Sequence, residues 1–154
     1  MKIEIINLQK KKVNAPVARK IIKYVLDTES CGKAAELSVS FVDNRTIQRY
    51  NKKYMSKDRP TDVLSFPMGE GEKVEGDGDY MGDVMVSVEM AVSRAREFSN
   101  DIGKELMIYL IHGILHLLGY NDTEPCSRKQ MDEKQAKISG LLWDRRKWKL
   151  LTKS

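Results

Sequence analysis

Apolar side chains return along this chain at two periods, and the periods mark out its elements. Residues 3–8, from Ile3 to Leu8, read as a first strand. Asn14-Ala15-Pro16 then opens a helix. In it Val17, Ala18, Ile21, Ile22, Val25 and Leu26 recur at helical spacing, with Arg19, Lys20 and Lys23 opposite. Leu37, Val39 and Phe41 alternate with Ser38 and Ser40, as in a half-buried strand. Asp43 is placed to cap a second helix with the apolar stripe Ile47, Tyr50 and Tyr54 and an exposed side of Arg45, Arg49, Lys52 and Lys53. Asp58-Arg59-Pro60 makes a turn before a third strand over 62–66, which Pro67 ends. Val84, Val86 and Val88 mark a fourth strand running into a helix stripe of Val88, Ala91, Val92, Ala95 and Phe98. The stretch 106–118 is apolar nearly all round and predicts a central buried helix, with Gly119 set to follow its end in a left-handed conformation. Pro125 suits the first turn of a last helix with Met131, Ile138, Leu141 and Leu142 inward. The pattern predicts one α+β domain over 1–154, an approximately four-stranded mixed sheet packed with helices.

Composition narrows the class. At 154 residues, 41% apolar and 32% charged, the chain has enough apolar surface for one core, so global disorder is excluded. Its longest apolar stretch, 106–118, is too short and too polar to span a bilayer, and the N-terminus lacks the apolar run of a signal peptide. Cys31 and Cys126 form no CxxC pair, so a reducing, cytoplasmic setting is expected. Five of the ten glycines fall between Gly69 and Gly82, which reads as a flexible acidic loop. The net charge of +5 resolves into +7 over 1–68, −8 over 69–124 and +6 over 125–154. Basic ends flank an acidic centre, which permits a nucleic-acid partner.

The chain's two histidines, His112 and His116, both fall on the most buried helix. A spacing of four places them on one face, one turn apart. Gly119 lets the chain reverse, and Asp122 follows. Two imidazoles and a carboxylate suit a divalent ion, zinc first, with a coordination position left open as in catalytic sites. The string is similar to the zinc-protease motif HExxHxxGxxH, whose third ligand can also be aspartate. Here Gly113 stands where that motif has its glutamate base, so peptide hydrolysis by that route is disfavoured.

The glycine variant resembles another family. His112-Gly113-Ile114-Leu115-His116-Leu117-Leu118-Gly119-Tyr120 is similar to the HGxLHLxGYDH signature of the YbeY family of bacterial metal-dependent endoribonucleases. Asn51-Lys52-Lys53-Tyr54 with Lys57-Asp58-Arg59-Pro60-Thr61-Asp62-Val63-Leu64-Ser65-Phe66-Pro67 resembles its LNxxYRxKDxPTDVLSFP segment, and Gly82-Asp83-Val84 its GD[IV] strand. The blocks keep the family's order over about 35–142. Asp122 replaces the usual third histidine, and Met55 the usual arginine after the tyrosine. Met55 cannot clamp a phosphate, so Lys57 or Arg59 would have to.

The resemblance implies a single-strand-specific endoribonuclease of rRNA processing, acting in 16S rRNA 3′ end maturation and ribosome quality control. His112 and His116 would be catalytic and, with Asp122, would hold the metal. Lys52, Lys53, Lys57 and Arg59, helped by Arg45 and Arg49, would contact the RNA backbone, and Tyr54 would stack a base. The expected partners are single-stranded rRNA and the ribosome or a small-subunit precursor, with no membrane and no DNA. The alternative is a non-catalytic ribosome-assembly factor with a structural metal. Ser65 and Asp83 are candidates for the cleft or for strand-end hydrogen bonds, and Cys126 is read as a small helix-turn residue. Trp143 and Trp148 in the basic tail either contact RNA or pack the last helix down.

Overall fold

The computed structural model describes residues 1–29, 35–68, 79–143 and 149–150. In chain order these form β1 (Lys2–Asn7), α1 (Ala15–Thr28), β2 (Ala35–Val42), α2 (Asn44–Met55), β3 (Val63–Pro67), β4 (Asp79–Ser87), α3 (Val88–Glu97), α4 (Ile102–Leu117) and α5 (Pro125–Leu142). Local chemistry explains most boundaries. Asn14 caps α1 by accepting from Val17 N, and Asp43 caps α2 by accepting from Thr46 N. Ser87 ends β4 and caps α3, accepting from Met90 N. Asp101 caps α4, accepting from the Gly103 and Lys104 amides, so that helix starts a turn before its apolar stretch.

The strands form one mixed sheet in the order β1-β2-β4-β3. β1 and β4 run parallel to β2, and β3 lies antiparallel on the outer side of β4. Leu37, Val39 and Phe41 of β2 join Val84 and Val86 of β4 on one face, where α1 and α4 cover them and form the main core. On the other face α2 covers one end, burying Val42, Ile47, Leu64 and Met85 against half-buried Phe66. Each fully buried leucine or isoleucine contributes roughly 1.5–3 kcal/mol over exposure.

Gly113 lets α4 pack directly against the sheet where a side chain would not fit. A Cβ there would stand 2.5 Å from Val84 Cγ1 and 2.9 Å from Val63 Cγ2. Ser65 Oγ donates to the Gly113 carbonyl at 2.9 Å, fixing the contact. Gly119 follows the helix at φ 98°, the left-handed turn expected of it.

Several readings change. Phe98 is 63% exposed because it is the residue after the last turn of α3, where the stripe has left the core. Leu141 is 65% exposed, while Met131, Ile138 and Leu142 point inward as expected. Val88 begins α3, as its place in the helix stripe expects, and the strand before it ends one residue earlier, at Ser87. β4 starts at Asp79, so the last part of the glycine-rich stretch is strand, and the rest of that loop lies outside the described residues. Cys31 and Trp148 also lie outside them. No helix among the described residues is long and apolar enough to cross a membrane.

Candidate metal centre

The second half of α4 carries His112 and His116 into the lining of a cleft of about 820 Å³, walled also by β3, the α2–β3 turn and the 119–123 loop. Their Nε2 atoms are 3.0 Å apart. The turn at Gly119 brings Asp122 back, with Oδ2 3.9 Å from His112 Nε2 and 3.7 Å from His116 Nε2. One ligand atom from each residue fits within a sphere of mutual distances of 4.8 Å.

Hydrogen bonds on the far side of each ring set its orientation. His112 Nδ1 lies 2.7 Å from Gln135 Oε1 on α5, and His116 Nδ1 lies 3.0 Å from the Tyr120 carbonyl. With Gln135 Oε1 and the Tyr120 carbonyl as the acceptors, each Nδ1 carries the hydrogen and each Nε2 turns a lone pair inward. Two such lone pairs 3.0 Å apart, with a carboxylate beside them, repel unless an electrophile sits among them. Ligands at about 2.0–2.2 Å from one zinc ion would stand roughly 3–4 Å apart, so the donors fit a divalent cation. Burial holds the His116 imidazole below its usual pKa, and the neighbouring His112 adds to this, against the opposing pull of Asp122 and the Tyr120 carbonyl. His116 is therefore neutral near pH 7, as a ligand must be.

A second network braces the returning loop from behind. The Tyr120 hydroxyl donates to Glu29 Oε2 at 2.9 Å, and Lys134 Nζ lies 2.7 Å from Glu29 Oε1. Burial alone would raise the Glu29 carboxyl, but hydrogen bonds from Lys134 and Tyr120 outweigh it and hold the group low. The same contact raises Lys134. α5 thus supplies two neighbours in sequence, Lys134 to the loop brace and Gln135 to His112.

The residues expected to touch RNA separate. Lys57 and Arg59 line the cleft, as does Met55. Asn51, which is buried, helps set this turn: its Nδ2 donates to the Arg59 carbonyl and its own carbonyl accepts from Lys57 N. Lys52, Lys53 and Tyr54 do not line the cleft. Lys52 lies 3.8 Å from Asp58 in an exposed pair, and Lys53 Nζ sits 5.2 Å from the Tyr54 ring centre. Tyr54 stacks on Tyr50 and meets Phe66 edge-on in a separate hollow on the opposite sheet face. Ser65 lines the cleft, whereas Asp83 lies in the other hollow and accepts from Ser38 and Tyr80. Cys126 is exposed and outside the donor group. Trp143 packs against the core, with Lys104 over its ring.

Fold and donors together define an α+β domain with a cleft whose three clustered side chains are chemically able to hold a metal. The model of the family Endoribonuclease YbeY matches residues 3–142, and the chain belongs to that family. A relative named Endoribonuclease YbeY from Thermoanaerobacter sp. (strain X514) is 37% identical over 92% of this chain and 91% of its own. Another of that name, from Lysinibacillus sphaericus (strain C3-41), is 40% identical over 79% of this chain and 82% of its own. The solution structure of a Thermotoga maritima protein superposes with a TM-score of 0.64 at 32% identity, covering 92% of this chain and 89% of that one.

Proposed function

We propose that the protein is a metal-dependent endoribonuclease that cuts single-stranded rRNA in the cytoplasm, working on 16S rRNA 3′ end maturation and ribosome quality control. One observation carries the reading: in a member of this endoribonuclease family, the donors of His112, His116 and Asp122 converge on the same cleft that Lys57 and Arg59 line. The proposed ion is zinc. Bound there, it would supply a Lewis acid for the developing charge on a phosphoryl oxygen and lower the pKa of a water.

The chain's own residues supply the rest. The Tyr120 carbonyl holds His116 in the ligating tautomer, and Gln135 does so for His112 when its Oε1 faces the ring. Lys57 and Arg59 offer cations to the RNA backbone on the cleft wall, the work Met55 cannot do. The expected partners are single-stranded rRNA and the small-subunit precursor that presents it. The test compares zinc-loaded wild type with His116→Ala on a single-stranded rRNA fragment. Cleavage should fall to background in the variant, and equal cleavage by both would remove the site from the mechanism.

Met55 in the cleft favours a second reading, an assembly factor that binds rRNA around a structural metal without cutting it. That reading predicts tight rRNA association with no turnover from nuclease-free preparations.

A further inference from the structure

The two imidazoles are oriented by acceptors of different kinds. His116 Nδ1 faces a backbone carbonyl, Tyr120 O, which can only accept. His112 Nδ1 faces the half-buried side-chain amide of Gln135 at 2.7 Å. An amide has an accepting oxygen and a donating NH2 of nearly the same shape, and a half-turn about its last torsion exchanges them. Gln135 can therefore satisfy His112 in either tautomer, whereas Tyr120 can satisfy His116 in only one.

The 3.0 Å between the two Nε2 atoms makes this difference consequential. With Gln135 Oε1 toward the ring, His112 keeps its hydrogen on Nδ1 and both Nε2 lone pairs face inward beside Asp122. That state suits a cation. With the Gln135 NH2 toward the ring, His112 Nδ1 accepts, and Nε2–H donates to His116 Nε2 across the same 3.0 Å. That state leaves both rings satisfied without a cation. No net proton is gained or lost, since one hydrogen leaves Nδ1 and another joins Nε2 of the same ring through solvent.

We propose that Gln135 is a positioning residue for His112 whose amide flip exchanges a cation-binding tautomer for one closed by a histidine–histidine hydrogen bond. The proposal rests on the metal reading of this site. It goes beyond it in assigning Gln135 a two-state role that a carboxylate, an acceptor only when ionised, could not fill.

The test uses the full chain, 15N-imidazole NMR and zinc titration against a chromophoric chelator. In zinc-free wild type the His112 hydrogen should sit on Nε2, and zinc should move it to Nδ1, while His116 keeps Nδ1–H throughout. Gln135→Leu, with its fold checked by circular dichroism, should bind zinc about 10–100-fold more weakly. Gln135→Glu should restore the affinity and hold His112 as Nδ1–H even without zinc. Finding Nδ1–H on His112 in zinc-free wild type would overturn the switch, and unchanged zinc affinity in Gln135→Leu would overturn the positioning role. A wild type that takes up no zinc would instead overturn the metal reading, and the two-state role with it.

Discussion

β3 is a wall between two hollows of opposite character. On the side of α4, the wall helps form the large cleft with the imidazoles, Asp122, Lys57 and Arg59. On the other side lies a smaller hollow of about 320 Å³, with Tyr50, Tyr54 and Phe66 beside Ser38, Ser40 and Asp83. The alternation of a strand divides them: Ser65 turns to Gly113 and the cleft, Phe66 to Tyr54. The end of α2 divides in the same way, since Tyr54 faces the aromatic hollow and its neighbour Met55 the cleft. Closeness in sequence thus misleads about closeness in space. The segment that looked like one RNA-binding run is split between a face with metal-capable donors and a face with rings already occupied by one another.

The largest effect should come from the cleft. His116→Ala removes a ligand rather than its support, so zinc affinity should fall by more than about 100-fold, read by chelator competition. Gly113→Ala should come next. Its methyl would push against Val84 and Val63, costing about 1–3 kcal/mol in urea unfolding. Gly140→Ala on α5, where nothing lies within 4 Å of the added carbon, should instead be neutral or gain up to about 1 kcal/mol.

Lys57→Ala and Arg59→Ala should each weaken RNA binding across sequences and reduce the salt slope by about one. Lys52→Ala and Lys53→Ala should move that slope less. Equal slopes for all four would erase the distinction between the cations on the cleft wall and those outside it. Tyr54→Leu should cost about 0.5–1.5 kcal/mol of stability through its ring contacts while leaving cleavage rates close to wild type.

The smallest effect concerns the brace behind the cleft. Glu29 is held below its ordinary 4.5, so its contribution is fully present above that value and is lost as pH falls through the lower folded value. Lys134 is raised above 10.5, so its share is fully present below 10.5 and is lost as pH rises through the higher folded value. Glu29→Gln should flatten both limbs of a pH–stability profile. The change at neutral pH should stay within about 1 kcal/mol, because Lys134 is partly in water.

Much of this was legible in the sequence because its causes are local. The caps Asn14 and Asp43, the turn at Gly119 and the alternation of β2 each depend on a few neighbouring residues. The His112–His116–Asp122 cluster was legible for the same reason, as one helix and one turn fix it. Phe98 and Leu141 misled because periodicity does not say where a helix runs out of core. The strand order was hidden because both parallel pairings join segments far apart in the chain. Gln135 and Glu29 were missed for a related reason. Each meets the site only once α5 and α1 have packed, and neither sits in a pattern of its own. Asn51 did leave a signal, a polar residue one turn after Ile47 on the buried side of α2. Its meaning appeared only with its bond to the Arg59 carbonyl.

The outer strands of the sheet carry a further consequence. A strand with no neighbour on one side invites another chain to add to it. β1 is short and carries Lys2 and Glu4, and the Arg19 guanidinium from α1 reaches over to the Ile3 carbonyl. β3 is shorter still and ends at Pro67, which has no amide hydrogen to offer. Brevity, charge, a covering guanidinium and a proline all oppose edge-to-edge growth. Among the described residues, the strand that borders the cleft therefore keeps an outer edge without becoming a template for its own kind.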